Sequence, residues 1–129
     1  MNHKILIEKL EIAYIRGVSL ALLTSYLSRR TQLVKIKGTT SASLPLTIGI
    51  PQGSCLGPLM FLIYFNDANK LNLRGSLYLY ADDSAIFYKS KTVSANVESM
   101  KLDLSLLSEF FRLNRLTLNV EKSNVMHFH

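Results

Sequence analysis

One cysteine, no tryptophan and three prolines leave this 129-residue chain few covalent or rigid fixtures. With Cys55 alone, no internal disulfide can form, which fits a reducing compartment. Cys55 has no base near it in sequence and reads as a small packing residue, not a nucleophile. The histidines, His3, His127 and His129, stand at the chain ends and make no zinc-ligand spacing. The longest apolar run, Leu59 to Phe65, is far too short to cross a bilayer. The start, Met1-Asn2-His3-Lys4, leads into no apolar block with a cleavage site, so no signal peptide is read. These absences predict an intracellular protein with no membrane partner.

Acidic side chains are also scarce: nine Asp and Glu stand against fifteen Lys and Arg, a net charge of +6. A basic balance suggests an anionic partner, nucleic acid first. Lys35, Lys37, Arg29, Arg30, Arg112 and Arg115 are candidate phosphate contacts, and ordinary solvated surface is the other reading of each. Hydrophobic residues make up 48% of the chain, so a core can form. The length suits one domain.

Periodicity predicts helices from about Lys4 to Tyr14 and Val18 to Ser28, the second with Leu20, Leu23 and Leu27 on one face. Arg29-Arg30 then either complements the helix dipole or contacts phosphate. Thr31 to Lys37 and Leu44 to Ile50 read as two strands of a hairpin, with Pro45 at an edge. Pro51-Gln52-Gly53-Ser54 is turn-rich. Pro58 opens a helix to about Leu71, apolar all round at first and so expected to be buried. Leu77 to Tyr80 and Ala85 to Tyr88 form a second hairpin. Ser94 to Leu113 is an amphipathic helix with a core stripe of Val97, Met100, Leu104, Leu107 and Phe111. Thr117 to Val120 and Asn124 to Phe128 are predicted strands. Strand pairs on short turns, interleaved with helices, predict an α+β domain with an antiparallel sheet and helices on one face.

The second hairpin carries Tyr80-Ala81-Asp82-Asp83 at its tip. Asp is common in turns for local hydrogen-bonding reasons, which is one reading. The other is a cation site. Adjacent carboxylates repel unless a cation lies between them, and a hard ion such as Mg²⁺ takes oxygen ligands. Such ions clamp the oxygens of nucleotidyl and phosphoryl transfer. A metal-dependent phosphatase or nuclease is a further reading, but further carboxylates or histidines in useful positions are lacking.

Three blocks in order resemble the palm of reverse transcriptases from non-LTR, jockey-like retrotransposons. They are Gly49-Ile50-Pro51-Gln52-Gly53-Ser54 with Leu56-Gly57-Pro58-Leu59 and Tyr64-Phe65-Asn66-Asp67; then Tyr80-Ala81-Asp82-Asp83; then Leu118-Asn119-Val120-Glu121-Lys122-Ser123. The resemblance runs from about Asn2 to Phe128. It implies a palm-like sheet and RNA-directed DNA polymerisation by two-metal nucleotidyl transfer. Asp82 and Asp83 would bind Mg²⁺, and Lys122 would face the pyrophosphate leaving group. Pro51, Gln52, Gly53 and Ser54 would lie by the template and incoming nucleotide, and Tyr80 and Ala81 by the primer end. RNA template, DNA primer and deoxynucleoside triphosphates would be the partners, and the nucleus the location.

The match has departures. Relatives carry a further catalytic Asp on a strand ahead of the segment resembling Asn2 to Leu6, whereas no Asp precedes Asp67 here. Phe110-Phe111 stands where Trp is frequent, and Ser123 replaces a frequent Thr. Residues 1–129 are therefore expected to be one partial reverse transcriptase domain, inactive alone. The alternative is a catalytically inactive remnant that at most binds nucleic acid.

Overall fold

A computed structural model describes residues 1–128 and shows a mixed α+β chain. In order it has α1 (His3–Ile12), α2 (Gly17–Leu27), β1 (Thr31–Gln32), β2 (Lys35–Ile36), β3 (Thr39–Thr40), β4 (Leu44–Pro45), α3 (Gly57–Phe65), β5 (Ser76–Tyr80), β6 (Asp83–Phe87) and α4 (Val93–Leu113). Two 3₁₀ turns, Asn66–Lys70 and Val120–Lys122, complete it. No helix among the described residues is long and apolar enough to cross a membrane.

The four helices lie close to their predicted bounds, except that α3 stops at Phe65 and tightens into the 3₁₀ turn. The strands depart further. Among the described residues they form three separate antiparallel ribbons, β1–β4, β2–β3 and β5–β6, and not one sheet. The first two have ladders of only two residue pairs, Thr31↔Pro45 with Gln32↔Leu44 and Lys35↔Thr40 with Ile36↔Thr39. Proline has no N–H for the ladder, which keeps Pro45 at an edge. The strands predicted at 117–120 and 124–128 do not form. Instead Asn119 caps the Val120–Lys122 turn, its side-chain oxygen accepting from the Lys122 amide at 3.3 Å. An Asn competing for local backbone donors favours a turn over a strand.

The core lies between helices. Leu6 and Leu10 of α1, Leu27 of α2, and Met60 and Tyr64 of α3 are buried together. A second cluster joins Phe65 and Ala68 to Phe110 of α4, with the Phe65 and Phe110 rings edge-on at 5.3 Å. The predicted burial of α3 is half right, since Leu59 and Leu62 stand exposed. The buried stripe of α4 is also shifted. Asp103, Leu107, Phe110 and Asn114 face inward, while Val97 and Leu104 do not. Cys55 is exposed and packs in no core.

Polar contacts fix the helices. Asn2 caps α1, accepting from the Lys4 and Ile5 amides at 3.0 and 3.3 Å. Lys9 is buried in α1, and its ammonium donates to the Tyr64 carbonyl at 2.6 Å and pairs with Asp67 at 3.2 Å. It also lies 5.1 Å from the Tyr64 ring centre. The Lys70 and Lys9 ammoniums together hold the Asp67 carboxyl below its ordinary value. Asp67 thus has a structural partner set, Lys9 and Lys70.

A lowered folded-state pKa makes stability that is present above the ordinary carboxyl value and lost as pH falls through the folded one. Lys9→Met keeps the volume but removes the donor to a helix-end carbonyl. The expected loss is about 1 to 3 kcal/mol in urea unfolding at neutral pH. The gap between wild type and variant should narrow as pH falls below the ordinary carboxyl value and on through the lowered folded-state one of Asp67. A gap that widens in acid would show that the ion pair is not its source.

Candidate active site

The acidic hairpin forms, but its second strand begins at Asp83, two residues before the expected Ala85, so Asp83 lies in the ladder and not in the loop. Leu77 pairs with Ile86, Tyr78 with Ala85, Leu79 with Ser84 and Tyr80 with Asp83, leaving Ala81-Asp82 as a two-residue loop. Ala81 has φ +51°, the left-handed region that such tight loops demand at their first position. Facing residues share a side of a ribbon. Asp83 therefore shares its face with Tyr80, Tyr78 and Phe87, and the last two meet edge-on at 5.2 Å. Leu77 and Ile86 take the opposite face, where Leu77 packs on the Phe65–Phe110 cluster. Asp82 and Asp83 are both exposed, at the end of the ribbon farthest from that packing. Among the described residues no group of three or more His, Cys, Asp or Glu side chains could hold a metal ion. Two carboxylates match a Mg²⁺ ion that keeps several waters and takes further oxygens from substrate phosphates.

The hairpin's base is anchored to α4. The Arg74 amide donates to both carboxylate oxygens of Asp103, at 3.0 and 2.9 Å, and the Gly75 amide donates at 2.9 Å. Tyr88 closes the other strand. Its hydroxyl is buried with no hydrogen bond of normal geometry. That burial, with the Asp103 charge nearby, pushes the phenol up to about 12.

The Pro51-Gln52-Gly53-Ser54 turn is built locally. The Ser54 amide donates to the Pro51 carbonyl at 3.4 Å, and Gly53 has φ +75°, as the third residue of a type II turn requires. Ser54 Oγ then accepts from the Gly57 amide at 3.1 Å, at the entry to α3. Pro51 and Gln52 line a polar cavity of about 380 Å³ together with His3, Arg30, Gln32 and Gly49. The structure thus brings Arg30 to Gln52, two residues the sequence singled out separately. His3 and Gln32 were not foreseen there. His3 Nε2 donates to the Gly49 carbonyl at 2.6 Å, so its terminal position hid a tertiary role.

Lys122 is exposed at the end of its 3₁₀ turn. No hydrogen bond or ion pair among the described residues joins it to Asp82 or Asp83. Of the basic candidates, Arg112 is engaged by Glu109 through two bonds, at 2.7 and 2.6 Å. Lys35 and Lys37 are exposed on and beside the β2–β3 ribbon.

A family model described as reverse transcriptase (RNA-dependent DNA polymerase) matches residues 1–128. The RNA-directed DNA polymerase from mobile element jockey of Drosophila melanogaster is 30% identical over 105 residues, 76% of this chain and 12% of that protein. The probable RNA-directed DNA polymerase from transposon X-element of the same fly is 30% identical over 111 residues, 83% of this chain and 12% of that protein. The chain thus spans about an eighth of the length of these relatives. No solved structure matches it significantly.

The Tyr88 environment gives a pH test. The folded-state phenol lies above its ordinary value of 10.0, so the neutral form is favoured in the fold. Its contribution is full below pH 10 and is lost as pH rises towards 12. Ultraviolet titration should show a phenol ionising near pH 12 that Tyr88→Phe removes. Persistence of that late step in the variant would refute the assignment.

Proposed function

The chain belongs to the reverse transcriptase family, and we propose that it is part of the palm of an RNA-directed DNA polymerase from a non-LTR retrotransposon. The acidic hairpin carries this reading, with Asp82 in the tight loop and Asp83 at the start of β6, both exposed at the free end of a packed ribbon. Residues 1–129 are read as one partial domain of the larger enzyme.

In the proposed reaction a primer 3′-hydroxyl attacks the α-phosphorus of a deoxynucleoside triphosphate. A phosphodiester bond forms and pyrophosphate leaves. Asp82 and Asp83 would hold Mg²⁺, which supplies positive charge to phosphate oxygens when bound. Lys122 would stand by the leaving pyrophosphate, where an ammonium stabilises developing negative charge or donates a proton. Gln52 and Gly53 would face the template and nucleotide: Gln offers both donor and acceptor, and Gly lets a ligand approach the backbone. The Arg30 side of the Gln52 cavity suits a phosphate. Tyr80 and Ala81 would border the primer end. Such work on an element's RNA would take place in the nucleus.

The donor set also limits the chain. Two carboxylates alone cannot fix two ions with the in-line geometry this transfer requires. Residues 1–129 therefore do not polymerise by themselves. A second reading, an inactive remnant that binds nucleic acid, draws on the +6 net charge and the exposed Lys35 and Lys37.

Primer extension on an RNA template with Mg²⁺ separates the two. The 129-residue chain should be silent. A longer, folded polypeptide that adds the family's further Asp strand and the fingers should extend the primer, and Asp82→Asn should lower its rate by about a hundredfold or more. Extension by the short chain that Asp82→Asn abolishes would overturn the claim of inactivity. Silence of the longer folded protein would favour the remnant.

A further inference from the structure

We propose that Asp103 is a positioning residue for the acidic hairpin, setting the direction in which Asp82 and Asp83 point. Asp103 lies in the middle of α4 and is fully buried. An isolated carboxylate there would be costly, and such groups persist only when paired or hydrogen-bonded. Its partners are two consecutive backbone amides, Arg74 and Gly75, at 2.9 to 3.0 Å. The Arg74 guanidinium, 3.9 Å away and half exposed, adds a weaker charge. Charge-assisted bonds of this kind are stronger and more directional than neutral ones.

What they hold is the residue pair that leads directly into β5. Leu77 also ties the hairpin to the core, but an apolar contact fixes position better than angle. Two parallel amide bonds to one carboxylate fix both. The loop tip stands five residues beyond Ser76, so a small rotation at the base is magnified at Asp82.

Gly75 independently marks the same anchor. A Cβ built there would lie 2.6 Å from both the Ile86 methyl and the Tyr88 ring. Only glycine lets the chain pass between the Asp103 carboxylate and the closing strand. Its φ is not in the left-handed region, so close approach and not backbone conformation is the reason. The same packing buries the Tyr88 hydroxyl beside Asp103. Carboxylate, glycine and tyrosine form one clamp at the hairpin's base.

The consequence for catalysis rests on the polymerase reading, but the clamp is testable without it. The experiment uses the 129-residue chain, isotope-labelled and weakly aligned, and compares wild type with Asp103→Asn. Asparagine keeps the shape and one acceptor, and turns an N–H₂ towards one of the two amides. In wild type, residual dipolar couplings of β5–β6 should fit the alignment tensor of α4. In Asp103→Asn the hairpin couplings should fall to about half while those of α1 and α4 hold, and the β5–β6 amides should exchange about tenfold faster. A uniform loss across all elements would show a merely structural role and overturn the proposal. So would hairpin couplings that keep the α4 tensor unchanged. Should the variant not fold, trans-hydrogen-bond couplings from the Arg74 and Gly75 amides to Asp103 Cγ in wild type decide. Their presence supports the clamp and their absence refutes it. Failure of primer extension by the longer folded polypeptide, with the hairpin clamped, would count against the polymerase reading alone.

Discussion

Tyr64 is the residue on which the helical core depends. Its ring is fully buried among Leu6, Leu10, Leu27 and Met60. Its hydroxyl accepts from the Asn2 amide at the start of α1 and donates to the Asn114 carbonyl at the end of α4. Its own carbonyl takes the buried Lys9 ammonium. One side chain thus links the first and last helices through α3, satisfying polar groups that would otherwise be stranded inside. An apolar residue of the same size would fill the space and leave those groups unpaired.

From that hub the candidate site grows in two directions. Asn2 sits beside Ile48 in an isolated bridge, and the Gly49 amide donates to the Met1 carbonyl at 2.8 Å. This places the Pro51–Ser54 turn and His3 around one cavity. On the other side, Phe65 and Phe110 carry the packing to Leu77, and Asp103 adds direction. The acidic tip is therefore anchored at its base and exposed at its end.

The parts legible in the sequence were those with strong local signals. The acidic hairpin was legible as two short apolar runs around Ala81 to Ser84, but the pattern did not show that β6 begins at Asp83 and closes a two-residue loop. The bounds of α1, α2 and α4 followed closely from periodicity, and the caps Asn2 and Thr92 set starts one residue earlier than that pattern reaches. What failed was decided by tertiary contact. The two-residue ladders of β1 to β4 are too short to announce themselves, and Asn119 diverted a predicted strand into a turn. The inward face of α4 does not follow from its apolar stripe, because its innermost member is Asp103. A lone acid in register with Leu107 and Phe110, four and seven residues before them, was the available signal. Leu59 and Leu62 remain exposed because an all-apolar helix reports how many partners it can use.

On the polymerase reading, the acidic tip, the Gln52 turn and Lys122 serve one substrate. Three separate segments carry these groups, and no direct bond joins them. Mn²⁺-induced line broadening on the 129-residue chain, with an RNA–DNA template–primer and a deoxynucleoside triphosphate, tests this most directly. Broadening should be strongest at Ala81 to Asp83, extend to Gln52 and Lys122, and be abolished by Asp82→Asn. Broadening centred elsewhere, or unchanged in that variant, would contradict that reading.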